Sequence, residues 1–164
     1  MSKSKGVVSR FPESGHDHAS CVVEAVARAK RICAARGRRW TPLRQRVLEL
    51  VWQSHQPVKA YELLEQLRVE GQASAAPPTV YRTLDFLLAE GLVHRLASMN
   101  AFVGCASPDH RHAGQFLICG QCHAVAELDD ADVTRLLDDR AKALGFTLTD
   151  QTIELEGVCP RCGE

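Results

Sequence analysis

No run in this 164-residue chain approaches the roughly 20 consecutive apolar residues that a membrane-spanning helix needs, so such a helix is excluded. No H-E-x-x-H occurs, which removes the usual zinc-protease helix. There is no internal repeat and no low-complexity block. Residues 1–20 lack the apolar core of a secretory signal. They are polar, with Gly, Ser, Pro and His, and are expected to form a disordered tail that includes the unassigned pair His16 and His18. A cytoplasmic, thiol-reducing setting follows, in which paired cysteines more often hold metal than form disulfides. Net charge is also lacking, at +0, but the mean hides an asymmetry. Residues 1–91 hold 14 Lys/Arg against 9 Asp/Glu, and residues 92–164 hold 6 against 11. A basic front that includes Arg28, Lys30, Arg31, Arg36, Arg38, Arg39, Arg44 and Arg46 suits a polyanionic partner such as DNA.

Of the seven cysteines, four stand in two short pairs, Cys119-Gly-Gln-Cys122 and Cys159-Pro-Arg-Cys162, with 36 residues between the pairs. Each C-x-x-C turn can aim two sulfurs at one point about 2.3 Å from a zinc ion, and two turns complete a tetrahedron. The alternative is a pair of disulfides or four inert thiols. A four-thiolate site within the rear half would hold that half's fold.

The periodicities predict an α+β chain. A first helix is expected over Cys21–Arg36, closed by Gly37. Thr41-Pro42 opens a second, with Leu43, Val47, Leu50 and Val51 as its apolar stripe. A third runs over about Ala60–Glu70. The fourth opens at Pro77-Pro78-Thr79 and ends at Gly91. At about 100° per residue its apolar side is Val80, Leu84, Leu87 and Leu88, and Arg82 falls almost opposite. Strands at Leu92–Leu96 and Ala101–Cys105 with a turn at Met99-Asn100 complete a winged helix-turn-helix pattern. In the rear half strands are expected at Gln115–Ile118 and Ala124–Leu128, a helix over Asp132–Leu144, and a strand around Ile153 and Leu155. This αβ module is small, so zinc clipping would stabilise it and dimerisation would bury its remaining apolar face. The expected order is a tail (1–20), a winged-helix DNA-binding domain (21–105), a hinge linker (106–114) and an αβ dimerisation domain (115–164).

A second group of metal-capable side chains spans the wing, the linker and the rear half: His94, Cys105, Asp109, His110, His112, His123 and Glu127. Imidazole, thiolate and carboxylate together suit zinc better than iron or manganese, because soft sulfur favours zinc. A metal held by all three regions would fix the angle between the modules, so this group is assigned a sensing role.

The segment Pro77-Pro78-Thr79-Val80-Tyr81-Arg82-Thr83-Leu84, the wing segment Gly91-Leu92-Val93-His94 and the two C-x-x-C pairs resemble the ferric uptake regulator family, from about Cys21 to Cys162. Within it the chain is similar to the zinc uptake regulator branch. The iron-sensing branch usually carries a His-rich run before its first cysteine pair and no wing cysteine, whereas here Asp109-His110-Arg111-His112 and Cys105 stand. The resemblance implies a homodimeric, zinc-dependent repressor that binds a double-stranded palindromic operator. It implies His94, Cys105, His112 and Glu127 as regulatory zinc ligands, with His110 as the alternative to His112, and two zinc ions per protomer. It also implies that Tyr61 and Arg82 approach bases. Arg82 can reach a guanine edge in bidentate fashion. Thr79, Tyr81, Arg44 and Arg46 are expected on phosphates, with core packing the alternative for Tyr81.

Competing readings are a sensor of iron, manganese or peroxide in the same family, a zinc hydrolase, and a haem protein. Four protein ligands at the sensing site leave a hydrolase no open position, so no enzyme is expected. Cys119-Gly-Gln-Cys122-His123 matches the haem motif C-x-x-C-H, but Cys159 and Cys162 are better partners for its sulfurs.

Overall fold

The structure, a computed structural model, describes residue 11 and residues 17–54, 56–72 and 76–163. Apart from Phe11, the expected tail as far as His16 lies outside them. The chain divides into two compact units between His110 and Arg111.

The first unit contains α1 (His18–Ala35), α2 (Pro42–Trp52), α3 (Ala60–Val69), α4 (Pro77–Ala89) and the strands β1 (Val93–Leu96) and β2 (Ala101–Gly104). α1 begins three residues before the expected Cys21, because the Asp17 carboxylate accepts the Ala19 N–H at 3.0 Å and caps the helix. His18 is therefore helical. The Thr41 hydroxyl caps α2 through the Arg44 N–H at 3.3 Å, and the Glu62 carboxylate accepts the Lys59 N–H at 2.6 Å at the start of α3. α4 has no side-chain cap, but Pro77 and Pro78 remove two of the donors that would need one.

One apolar core joins these elements, with Ala29 and Cys33 from α1, Val47 and Val51 from α2, Leu63 and Leu67 from α3, and Leu84 and Leu87 from α4. On α4, Leu88 is only half-buried and Thr83 takes the inward place expected of it. Its hydroxyl donates to the Thr79 carbonyl at 2.9 Å, so burial leaves no polar group unpaired. β1 and β2 pair antiparallel, with Leu96 opposite Ala101. Asn100 has φ 47°, the left-handed conformation that this turn requires. A bridge that the sequence pattern does not reveal stitches the wing to the helices: Val58 and Phe102 exchange N–H···O bonds of 2.9 and 2.8 Å.

The second unit holds β3 (Gly114–Cys119), β4 (Val125–Leu128), α5 (Ala131–Ala143) and β5 (Thr152–Gly157). Its sheet runs β4-β3-β5, antiparallel on one side of β3 and parallel on the other. Gln115, buried on β3, donates to the Asp130 carbonyl at 3.0 Å and to the Thr134 hydroxyl at 2.9 Å, which anchors the start of α5. α5 contributes no buried residue, and Val133, Leu136 and Leu137 remain exposed along it.

Candidate metal centres and nucleic-acid face

The parallel pairing of β3 with β5 brings the distant cysteine pairs together. Cys119 ends β3 opposite Gly157, which ends β5, so both C-x-x-C turns leave the same end of the sheet. The first turn is closed by the His123 N–H on the Cys119 carbonyl at 2.9 Å, and the second by the Cys162 N–H on the Cys159 carbonyl at 3.0 Å. A Cβ on Gly120 would come within 2.7 Å of the Glu156 carboxylate, the far end of a flexible side chain. The sulfurs of Cys119, Cys122, Cys159 and Cys162 all lie within 4.8 Å of one another. The Cys122 and Cys159 sulfurs are 3.7 Å apart. Tetrahedral sulfurs about 2.3 Å from zinc stand about 3.8 Å apart, whereas a disulfide needs about 2.05 Å. No disulfide forms among the described residues, and the two pairs contribute to one cluster. The sulfurs offered to haem by Cys119 and Cys122 belong to that cluster.

Local dipoles prepare these sulfurs for a cation. Backbone N–H groups, those of Cys122 and Cys159 foremost, hold the Cys119 thiol at a pKa of about 6. The Cys159 N–H lies 3.4 Å from that sulfur. Cys122 is also lowered, chiefly by the Ala124 N–H and then by Arg161. Cys162 is pushed up to about 12 by hydrogen bonding with the sulfurs of Cys122 and Cys159. Four adjacent thiolates repel one another, and a divalent cation removes that repulsion.

Of the proposed sensing residues, the first unit pairs two. The wing register sets His94 opposite Val103, and the Cys105 N–H bonds to the Leu92 carbonyl at 3.0 Å. His94 and Cys105 therefore share one face of the wing, with an imidazole nitrogen and the Cys105 sulfur within 4.8 Å. In the second unit, His112 Nε2 lies 2.7 Å from Glu127 Oε1, with both side chains buried. The imidazole that meets Glu127 within this unit is that of His112. Asp109 instead faces Arg28 at 3.9 Å, and His123 is exposed at φ 59° beside the first knuckle.

On the helical face, Arg82 is exposed on α4 and makes no ion pair among the described residues. Tyr81 is 54% exposed, so core packing is not its role, and Tyr61 on α3 is 57% exposed. Thr79 is half-buried at the first turn of α4. Several of the front's basic residues are engaged within the fold. Arg44 lies 3.4 Å above the centre of the Phe86 ring and also donates to the Arg39 carbonyl. Arg46 bridges Glu49 at 2.8 Å and Glu70 at 2.6 Å, which ties α2 to the end of α3 and holds the Glu70 carboxyl down at about 2. Arg36 and Arg38 clamp the buried Glu90 at 3.1 and 2.9 Å, fixing the end of α4. Arg46 was expected on phosphates, although Glu49 stands three residues on along the helix; the Glu90 clamp, which joins residues more than 50 apart, carries no such spacing signal.

Residues 35–156 match the sequence profile of the Ferric uptake regulator family. Over 142 residues the chain is 42% identical to the zinc uptake regulation protein of Escherichia coli (strain K12), covering 86% of this chain and 82% of that one. Among solved structures, a zinc uptake regulator complexed with zinc and DNA superposes with a TM-score of 0.82 at 40% identity, over 87% of this chain and 95% of that one. Holo XcZur superposes at 0.79 with 50% identity, over 85% and 97%.

Proposed function

Because the chain belongs to the ferric uptake regulator family and is similar along most of its length to zinc uptake regulators, we propose that it is a zinc-responsive transcriptional repressor. It acts as a homodimer on palindromic operators of zinc uptake genes, in the cytoplasm. Cys119, Cys122, Cys159 and Cys162 hold a structural zinc, and His94, Cys105, His112 and Glu127 hold a regulatory one, two ions per protomer. The observation that carries zinc over iron or manganese is the Cys105 thiol beside the His94 imidazole on the wing, since a thiolate favours the softer ion.

Each protomer offers one recognition helix, α4, and two such helices about one turn of DNA apart fit a palindrome. Arg82 reads a guanine edge, Tyr61 meets a base or sugar, and Thr79 and Tyr81 hold phosphates. Arg44 reaches the backbone from its seat on Phe86. With the regulatory ligands unmetallated, the reading heads hold the operator spacing only a fraction of the time. The apparent dissociation constant is the intrinsic one divided by that fraction, so a rise from about 1% to near unity tightens binding about 100-fold.

The test is operator binding titrated with Zn(II), Fe(II) and Mn(II) at buffered free-metal levels, for the unaltered chain and for Cys105→Ser. Zinc should tighten binding by about 100-fold in the unaltered chain. Cys105→Ser should lose that response while keeping the dimer and one zinc per protomer. Tightening by iron or manganese alone would make the chain a sensor of those metals, and an undiminished zinc response in Cys105→Ser would remove Cys105 from the site.

A further inference from the structure

Cys105 closes the wing, and residues 106–109 carry the chain from it to the unit boundary. Cys105 and Pro108 are buried, and Ala106 and Ser107 between them are half-buried. A half-open pocket of about 180 Å³ is lined by Cys105, Ala106 and Pro108 together with Glu24 and Arg28 of α1 and Trp52 of α2. To that packing α1 adds a polar grip. Arg28 of α1 donates from Nη1 to the Ala106 carbonyl at 2.9 Å. Its other arm, Nη2, donates to Glu24 Oε1 at 2.6 Å, one helical turn back, which orients the guanidinium. Its Nε lies 3.9 Å from the Asp109 carboxylate. The Arg28 side chain is only 25% exposed.

We infer that Arg28 is the positioning residue of the regulatory site, a strap from α1 that holds residues 105–109 where the Cys105 sulfur can ligate. The inference rests on the proposed role of Cys105. It gives a residue of the basic front a task other than meeting phosphate. A guanidinium already bonded to a carbonyl and a carboxylate has given up much of what it could offer DNA. A preset segment lowers the ordering cost of metal binding, so loss of the strap should raise the zinc concentration that the switch requires. Once zinc is bound, the ligands themselves fix the segment, and affinity for DNA at saturating zinc should be kept.

The experiment compares the full-length unaltered chain with Arg28→Gln and Arg28→Lys in operator binding, across buffered free zinc and across salt. For Arg28→Gln the free zinc at half-maximal binding should rise about tenfold, the scale of one charge-assisted hydrogen bond. Affinity at saturating zinc, its salt slope and the four-thiolate zinc should not change. Arg28→Lys keeps the charge and its N–H donors but lacks the planar fork that spans Ala106 and Glu24, so its shift should be smaller and in the same direction. An unmoved zinc midpoint in both variants overturns the inference. So does a fall in saturated affinity with a salt slope smaller by about one, which marks a phosphate contact. If the unaltered chain itself showed no zinc response, the reading of function would fall first. A zinc-dependent unaltered chain with unshifted variants would sink the strap alone.

Discussion

Arg82 shows how far one side chain can be read from sequence. Helical spacing places it opposite the buried stripe of α4, and it is exposed there. A bidentate contact to guanine is worth about 1–3 kcal/mol of discrimination. Arg82→Ala is therefore expected to weaken specific operator binding about 5- to 150-fold while non-specific DNA loses far less, read by competition with unrelated duplex. Equal losses on both would demote Arg82 to a phosphate contact. Other arginines were less legible. Spacing could not tell that Arg36 and Arg38 turn toward Glu90 and Arg46 toward Glu70, because those carboxylates come near them only through tertiary packing. Cysteine was the easier residue, since a C-x-x-C turn carries its own geometry and the fold has only to bring two turns together.

At the scale of elements, helix centres and strand alternation were readable, and ends were less so. α1 extends to His18 because one carboxylate, Asp17, caps it. The Val58–Phe102 bridge escaped because two residues make no period. The wing depends on a close approach that sequence does not display: a Cβ on Gly104 would lie 2.2 Å from the Trp52 ring. Gly104→Ala must push the wing or the indole aside, at about 1–3 kcal/mol of stability. Chemical denaturation of the variant should show that loss, and an unchanged midpoint would mean that the wing yields freely. The knuckles make a second prediction at this scale. In the metal-free chain Cys119 has a pKa of about 6, against 9.0 for an unperturbed thiol. Folded chains then bind fewer protons than unfolded ones between those values, so stability rises with pH across that window. The contribution is complete above pH 9.0 and lost as pH falls through about 6. Cys162, raised to about 12, acts oppositely, with its contribution intact below pH 9.0 and fading as pH climbs through about 12. Denaturant midpoints of chelator-treated protein should therefore increase from about pH 6 to 9. A flat profile would show that the amide cradle around Cys119 is not formed without metal.

For the whole molecule, the second unit poses the question of what covers it. Gln115 anchors α5 by hydrogen bonds, and no α5 side chain is buried within the chain. Val133, Leu136 and Leu137 on α5, with Phe146 and with Leu155 of β5, leave an apolar surface that a small module does not keep in water without a partner. A second copy is the partner that the proposed palindromic operator calls for, because twofold symmetry in the DNA needs twofold symmetry in the protein. Burying one exposed leucine side chain is worth about 1.5–3 kcal/mol, and each such position counts twice across a twofold axis. Leu136, 54% exposed, can be changed without opening the fold of its own chain. For the proposed homodimer, Leu136→Asp should therefore leave a monomer in sedimentation at micromolar concentration. The zinc proposed at the four cysteines should be retained, and affinity for a full palindrome should drop to that for a half-site. A variant that still sediments as a dimer and still grips the palindrome would place the symmetry axis on another surface.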